Sequence, residues 1–435
     1  MEAIPPIRLP HVVVLGAGFG GLTFCQALPR NIARVTVVDR QNHHLFQPLL
    51  YQVATAGLSA PDIAQPIRSI LAGRANLTVR MEQATDFDLA SRQVVLERGN
   101  LEYDYLVVAL GGVTSYFGRS DWEPFARGLK SLDDALAIRR DVLLAFERAE
   151  TEDDPDRRRQ LMTTVVVGGG PTGVELAGAF AELTRNVLAR DFSRIDPRQA
   201  RVILVEAAPR LLGHLPEALS ASARRQLEAL GVEVRTDTKV TAIRPGEIEM
   251  GGTTLPAANV IWAAGVAASP LARKLGVETD RAGRLKVLPD LSIPGHPEIF
   301  AIGDIAALVD RKGVAVPGVS PAAMQMARHV AAIVSAECRG LSPPPRPAFA
   351  YRDKGTMATI GRSRAVAKVG RLRFSGYPAW LAWLGVHLIF LIGFRNRLSV
   401  LLSWTYSYLT YKRGARLIVG RGSEGHSVGS QSGAP

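Results

Sequence analysis

Cysteine is nearly missing from this 435-residue chain: Cys25 and Cys338 stand far apart and form no Cys-x-x-Cys pair. Neither a disulfide framework nor a thiolate metal site is expected, and a reducing cytoplasm fits. No His/Cys cluster and no EF-hand spacing is visible, so no metal is expected either. The opening stretch MEAIPPIRLP lacks an apolar run before His11. Neither a secretory signal nor an Arg-rich transit peptide is expected.

Acidic residues are scarce in one region only. Between Arg352 and Gly420 there are twelve Lys/Arg against the single acid Asp353, a net of +11 out of +12 for the whole chain. A nucleic-acid partner would call for a hydrophilic basic stripe. Here the cations flank apolar stretches, which points to lipid and away from nucleic acid.

What the chain does have is an internal echo. His11-Val-Val-Val-Leu-Gly16-Ala17-Gly18-Phe19-Gly20-Gly21 recurs as Thr164-Val-Val-Val-Gly168-Gly-Gly170-Pro-Thr-Gly173-Val-Glu175. Each copy is a β-branched run, then GxGxxG, then an Ala/Leu-rich stretch, which reads as a buried strand, a turn and a helix. In such a turn the first Gly allows the bend, the second lets backbone N–H groups approach a pyrophosphate, and the third lets helix and strand pack closely. The helix N-terminus adds partial positive charge. Each copy is followed by a second strand ending in an acid, Asp39 and Glu206. A carboxylate there accepts from ribose hydroxyls and repels a 2′-phosphate, so NADH is favoured over NADPH, with Arg210 leaving some dual use open.

The expected fold class is α/β, with two Rossmann-like dinucleotide-binding domains, the second inserted in the first, plus a C-terminal membrane-anchoring domain. The boundaries expected are 1–159 with 281–341, then 160–280, then 342–420. The Gly/Ser-rich end, 421–435, has little to bury and is expected to be disordered. Ser342-Pro-Pro-Pro-Arg-Pro347 reads as a stiff linker, and Thr184–Gln199 as an extended helix and loop.

Several segments together resemble the type II NADH:quinone oxidoreductases, single-subunit respiratory flavoenzymes that pump no protons. They are Gly16–Gly21, Asn42-His-His-Leu-Phe-Gln-Pro-Leu-Leu-Tyr-Gln-Val-Ala-Thr55, GGGPTGVE with Glu175, Ala301-Ile-Gly303-Asp304, Met324-Gln325 and the apolar C-terminal region. The resemblance implies that Gly16–Gly21 hold the FAD pyrophosphate, with Asp39 and Arg40 at the adenosine end and Ala84 touching the adenine through its backbone. Gly303 and Asp304 would hold the ribityl or phosphate region, and Met324 and Gln325 would face the isoalloxazine. Gly168, Gly170, Gly173 and Glu206 would receive NADH, and Gly265 would leave room for the nicotinamide to lie on the flavin. Glu175 would face nicotinamide and flavin, although a first-turn acid also satisfies a helix dipole. Gln325 and Lys354 would meet the quinone, although Lys354 also reads as surface. Met326, Ala327 and His329 depart from the family pattern around Gln325.

Gly376–Phe394 runs 19 residues without Lys, Arg, Asp or Glu, close to a bilayer span, with Pro378 shortening it. Leu398–Tyr411 places Ser399, Ser403, Ser407 and Thr410 in one polar stripe, the pattern of an interfacial helix. Trp380, Trp383 and Trp404 are expected at headgroup level, and Arg371, Arg373, Arg395, Arg397, Lys412, Arg413 and Arg416 against anionic lipid. A crossing would split the cations between the two sides, so a peripheral, monotopic seat on the cytoplasmic face of a bacterial inner membrane is favoured. Spanning, or a buried core or homodimer helix, remains open. A sulfide:quinone oxidoreductase or disulfide reductase would need paired cysteines. A ferredoxin or rubredoxin reductase would not need Trp380–Phe394, and a non-enzymatic NAD(H)-responsive protein would bind both nucleotides without turnover.

Overall fold

The computed structural model describes residues 8–310, 313–341, 346–410 and 415–418. Two sheets carry the two glycine motifs. The first is ordered Ser292–Ile293, His296–Ala301, Tyr105–Val108, His11–Leu15, Arg34–Asp39, Leu77–Met81, parallel except for the hairpin formed by its first two strands. The second is parallel throughout: Ala126–Gly128, Asn259–Trp262, Thr163–Val167, Arg201–Val205, Glu233–Arg235. The motif strands His11–Leu15 and Thr163–Val167 are buried at every position. Covered on both faces, they read as continuous apolar runs and do not alternate.

The echo extends past the motifs. In each half the third strand leads into an antiparallel meander before the chain re-enters the sheet. These are Ala84–Asp88, Gln93–Leu96 and Gly99–Glu102 in the first half, and Val240–Arg244, Glu247–Met250 and Thr253–Pro256 in the second. The edge strand Ala126–Gly128 joins the second sheet although it precedes residue 160. It leads into the helix Leu132–Thr151, started by a reciprocal cap between Ser131 and Asp134. Thr184–Gln199 differs from the extended helix expected. After Pro171–Glu182 the chain makes one wide π-type turn, Leu183–Val187, and two short 3-10 turns. The Glu150 carboxylate then clamps the backbone N–H groups of Ser193, Arg194 and Ile195.

The C-terminal region is a three-stranded antiparallel sheet, Thr356–Gly361, Arg364–Val369 and Leu372–Ser375, followed by the helices Tyr377–Phe390 and Phe394–Thr410. The uncharged 19-residue run is therefore not one helix. It turns through Leu391–Gly393, with Gly393 at φ +85°, and Arg397 donates to the freed carbonyls of Leu391 (2.8 Å) and Ile389 (2.9 Å). The 14 residues before the break span about 21 Å, against roughly 30 Å of hydrocarbon. Among the described residues no helix is long and apolar enough to cross a membrane.

Three expectations for this region are corrected. Trp380, Trp383 and Trp404 are 8%, 1% and 7% exposed. They stack into the protein, and truncating a side chain like Trp383 to Ala costs about 3–5 kcal/mol. The first half of the polar stripe faces inward as well: Ser399 donates to Asp62 (2.6 Å) and Ser403 is half-buried, while Thr410 at the far end is exposed. Val400 and Trp404 face the protein core, and Leu381, Ile389, Phe390, Leu398, Leu401, Leu402 and Tyr406 are left outside. Finally, Arg397 and Arg416 make protein contacts where only lipid contacts were expected: Arg397, still exposed, donates at the helix break, and Arg416 pairs with Asp191. Arg371 and Arg373 are exposed. The side chains of Arg395 and Ser407, together with Lys412, Arg413 and the 421–435 tail, lie outside the described residues, as does 342–345 of the linker.

Candidate active site

Both glycine turns are built alike. Gly16 and Gly168 sit at φ +94° and +113°, backbone that only glycine adopts without strain. A Cβ on Gly21 would lie 1.8 Å from the Gly16 carbonyl oxygen, and one on Gly173 equally close to that of Gly168. The middle glycines differ: nothing lies within 4 Å of a Cβ on Gly18 or Gly170. Each of these opens a helix, Phe19–Ala27 or Pro171–Glu182, with no side chain capping its N–H groups. An uncapped helix end facing open space is an anion site.

The distal acids close onto these turns. Asp39 accepts from the backbone N–H of Ala17 (2.7 Å) and Gln41 (2.8 Å). Glu206 accepts from those of Gly169 and Ala208. Each is thus held at the carboxyl edge of its sheet beside the turn. Arg210 does not turn toward Glu206; its guanidinium donates to the carbonyls of Leu215 (3.2 Å) and Gly213 (2.9 Å). Arg40 is exposed, and Ala84 begins the first meander, just beyond the strand Leu77–Met81 that pairs with Arg34–Asp39. The first turn is also roofed. His44, 2% exposed, donates through Nδ1 to the Ala17 carbonyl (2.9 Å) and meets the Phe19 ring edge-on at 5.1 Å. Its Nε2 is buried without a partner among the described residues.

Gly303, at φ +77°, and Asp304 follow the returning strand His296–Ala301, as the sequence placed them. Asp304 lies beside Gly318 and near Lys130, whose ammonium burial pulls down and Asp304 holds up. Met324 and Gln325 are half-buried in the first two turns of Ser320–Cys338. The Gln325 amide pairs twice with the Arg352 backbone, donating to its carbonyl and accepting from its N–H, both at 3.0 Å. Gln325 thereby fastens the segment carrying Lys354, which is exposed. A Cβ on Gly265 would meet the Phe117 ring at 2.8 Å and the Ser115 carbonyl oxygen at 2.9 Å, so local packing alone demands glycine.

Glu175 stands apart from Gln325 and Lys354. It lines a cavity between Pro171–Glu182, the segment Tyr51–Gly57 and the C-terminal domain, and neither Gln325 nor Lys354 lines it. Burial pushes the Glu175 carboxyl up to about 8, opposed by the Thr359 N–H, which donates at 3.4 Å, and by the Trp383 indole N–H facing it. Gly178 lets this wall form: a Cβ there would lie 1.7 Å from the Ile360 carbonyl oxygen. Sequence reasoning missed Tyr51, Gln52, Thr359, Gly178 and the cavity role of Trp383. Tyr51 and Gln52 lay inside a quoted motif, but nothing in their spacing signalled a partner more than 300 residues away. An apolar groove between the last two helices, lined by Leu384, Leu388 and Leu401, shares Trp404 and Tyr408 with the cavity. The cysteines supply no thiolate: burial pushes Cys25 up to about 12 and Cys338 up to about 11.

Residues 10–331 match the pyridine nucleotide-disulphide oxidoreductase family, and 354–412 match the NDH2 C-terminal domain. The type II NADH:quinone oxidoreductase Ndh of Mycobacterium tuberculosis is 46% identical over 94% of this chain and 90% of its own length. A type II NADH:quinone oxidoreductase of Haemophilus influenzae is 30% identical over 83% and 87%. The solved structure of NDH2 from Plasmodium falciparum in complex with NADH superposes with a TM-score of 0.86 over 95% of this chain and 100% of that one, at 20% identity. The sulfide:quinone oxidoreductase of Aquifex aeolicus, with a TM-score of 0.69 and 20% identity over 92% and 94%, shares the fold. With two matched glycine cradles, a third cavity under a matching C-terminal domain and relatives of this identity and coverage, the chain belongs to the type II NADH:quinone oxidoreductases.

Proposed function

We propose that the first cradle holds FAD, that the second admits NADH, and that the electrons leave to a membrane quinone in the cavity beside Glu175. The observation carrying this reading is the helix Pro171–Glu182, whose N-terminus opens the second cradle and whose side walls the cavity. FAD fits the residues present: the Gly18 cradle is open, Asp39 is positioned, and the buried His44 Nε2 is an unused acceptor for a hydroxyl. Burial keeps that imidazole neutral. When bound, the flavin supplies a two-electron acceptor for hydride and a donor to quinone.

The protein's part is placement and proton supply. Glu206, held by two N–H groups, favours a free 2′-hydroxyl, and the engagement of Arg210 with its own loop supports a preference for NADH. Glu175 keeps its proton at neutral pH and can hand it to an oxygen in the cavity. Asp304, Met324 and Gln325 would line the flavin from the first domain, and Gln325 also fastens the segment carrying Lys354.

The exposed Leu398, Leu401, Leu402 and Tyr406, with Ile389 and Phe390 beside them, suit a monotopic seat in a lipid surface. Arg371 and Arg373 supply cations for anionic headgroups. The groove between the two helices then offers quinone a route from lipid. We assign 1–159 with 281–341 to the FAD domain, with Ala126–Gly128 reaching over to the other sheet, 160–280 to the NADH domain and 342–420 to the quinone and membrane domain.

The test is steady-state turnover with a soluble quinone. Flavin released by heat should be FAD, and NADH should be oxidised with quinone at a kcat/KM at least tenfold above that with NADPH. Comparable turnover with NADPH would sink the role of Glu206, and NADH oxidation insensitive to quinone would sink the acceptor.

A further inference from the structure

The cavity holds one hydroxyl whose direction can be worked out from its neighbours. Trp404 Nε1 lies 2.8 Å from Gln52 Oε1, and Gln52 Nε2 lies 2.8 Å from the Tyr51 hydroxyl. An amide oxygen and nitrogen are interchangeable by shape, so partners decide which is which. An indole N–H only donates. Beside it Gln52 must present its oxygen, for the flipped amide would set donor against donor. Its NH2 group therefore faces Tyr51 and occupies a lone pair of the hydroxyl oxygen. That hydroxyl has no acceptor among the described residues, and both Tyr51 and Trp404 line the cavity with Glu175.

We infer that Trp404, acting through Gln52, aims the Tyr51 O–H into the cavity as a fixed hydrogen-bond donor for a quinone carbonyl oxygen. The inference rests on the reading of the cavity as the quinone site. Tyr51 is 6% exposed, and burial holds its phenol well above its ordinary range, so it stays a donor across the working pH. Trp404 sits on the inner face of a helix whose outer face shows Leu401, Leu402 and Tyr406. The chain of three thus ties the outermost helix to the hydroxyl. Gln52 and Trp404 are positioning residues, and Tyr51 is the one that touches the acceptor.

The experiment is stopped-flow reoxidation of the NADH-reduced holoenzyme by a short-chain ubiquinone, with flavin reduction by NADH recorded on each variant. Tyr51→Phe should slow reoxidation about tenfold, the loss of roughly one hydrogen bond, and leave flavin reduction unchanged. Gln52→Glu is the sharper probe. Protonated, the acid mimics the amide and reoxidation matches wild type. Ionised, it accepts from both neighbours, turns the Tyr51 proton away, and the rate falls to the Tyr51→Phe level. This new pH step should vanish in the Tyr51→Phe/Gln52→Glu double variant.

A Gln52→Glu rate without such a step, or a step that survives in the double variant, overturns the relay. Should Gln52→Glu fail to fold, Trp404→Phe serves instead: it frees the amide to flip, and should slow reoxidation severalfold in the wild-type background but not in Tyr51→Phe. Equal slowing in both backgrounds counts against the relay. Ala179→Leu separates the two layers of the argument, because Ala179 lines the cavity but makes none of the relay's hydrogen bonds. Normal reoxidation in Ala179→Leu would overturn the cavity as the quinone site. Slow reoxidation there with no effect of Tyr51→Phe would overturn only the hydroxyl's role.

Discussion

The two motif helices begin identically and are used differently. Phe19–Ala27 is short, packs against Ser320–Cys338 and carries no charged residue. Pro171–Glu182 is longer, packs against the strand Thr356–Gly361, and carries Glu175 and Glu182 into the cavity. At matched positions Thr23 stands where the second helix has Glu175, and the exposed Gln26 where it has Gly178. The first turn-and-helix unit offers its uncapped N-terminus alone, and the second offers the same kind of end and also walls the cavity beside Glu175. Both copies carry the open glycine turn, and the close backbone approach at Gly178 seats the second helix against the C-terminal sheet.

That contrast can be broken most severely at Gly178. Gly178→Val drives side-chain atoms into the Ile360 backbone and should cost about 3 kcal/mol or more, seen as a lower denaturant midpoint. Gln26→Val at the matching exposed position should stay within about 0.5 kcal/mol. Equal losses at both would remove the distinction. Next in size, Glu206→Ala should erase most of the NADH preference by raising KM for NADH roughly tenfold, since the ribose loses a charged acceptor. Unchanged nucleotide selectivity would contradict the assignment.

Glu175 offers a pH test of the difference from Thr23. Because its folded-state pKa is raised to about 8, its stabilisation is complete below the ordinary carboxylate range and is lost as pH rises through about 8. Glu175→Gln, always neutral, should raise Tm relative to wild type above pH 8 and leave it unchanged near pH 4. A Tm gain equal at both pH values would mean that the carboxyl is not held neutral. Lys354→Ala should leave both half-reactions near wild type, because the exposed ammonium does not line the cavity beside Glu175. Quinone reoxidation slowed severalfold with flavin reduction intact would move the quinone from Glu175 toward Lys354. The smallest effect belongs to the thiols: alkylating the native protein at neutral pH should leave turnover unchanged, since both are pushed far from ionisation.

Much of this was legible in the sequence because the cradles are local. A buried strand, a glycine turn and a distal acid fall within a few dozen residues, and backbone geometry forces their spacing. The C-terminal region was legible only in composition. The apolar run from Gly376 gave no sign of the break at Leu391–Gly393, and the stripe of Ser399, Ser403, Ser407 and Thr410 was read as the mark of an interfacial helix because Asp62, the partner of Ser399, is 337 residues away along the chain. The tryptophans were misplaced for the same reason: amphipathic rings suit a lipid interface and a protein cavity equally, and only tertiary packing decides. Glu175 was singled out by its motif, but its surroundings come from three separate segments that no spacing rule joins.

The central claim is that one helix serves both substrates, NADH at its N-terminus and quinone along the side that runs from Glu175 to Glu182. Double-mixing stopped flow addresses it directly, reducing the holoenzyme with one equivalent of NADH and then adding quinone, in wild type and Ala179→Leu. The account predicts unchanged flavin bleaching in both proteins and reoxidation slowed only in Ala179→Leu. Bleaching and reoxidation slowed together, or neither slowed, would contradict it.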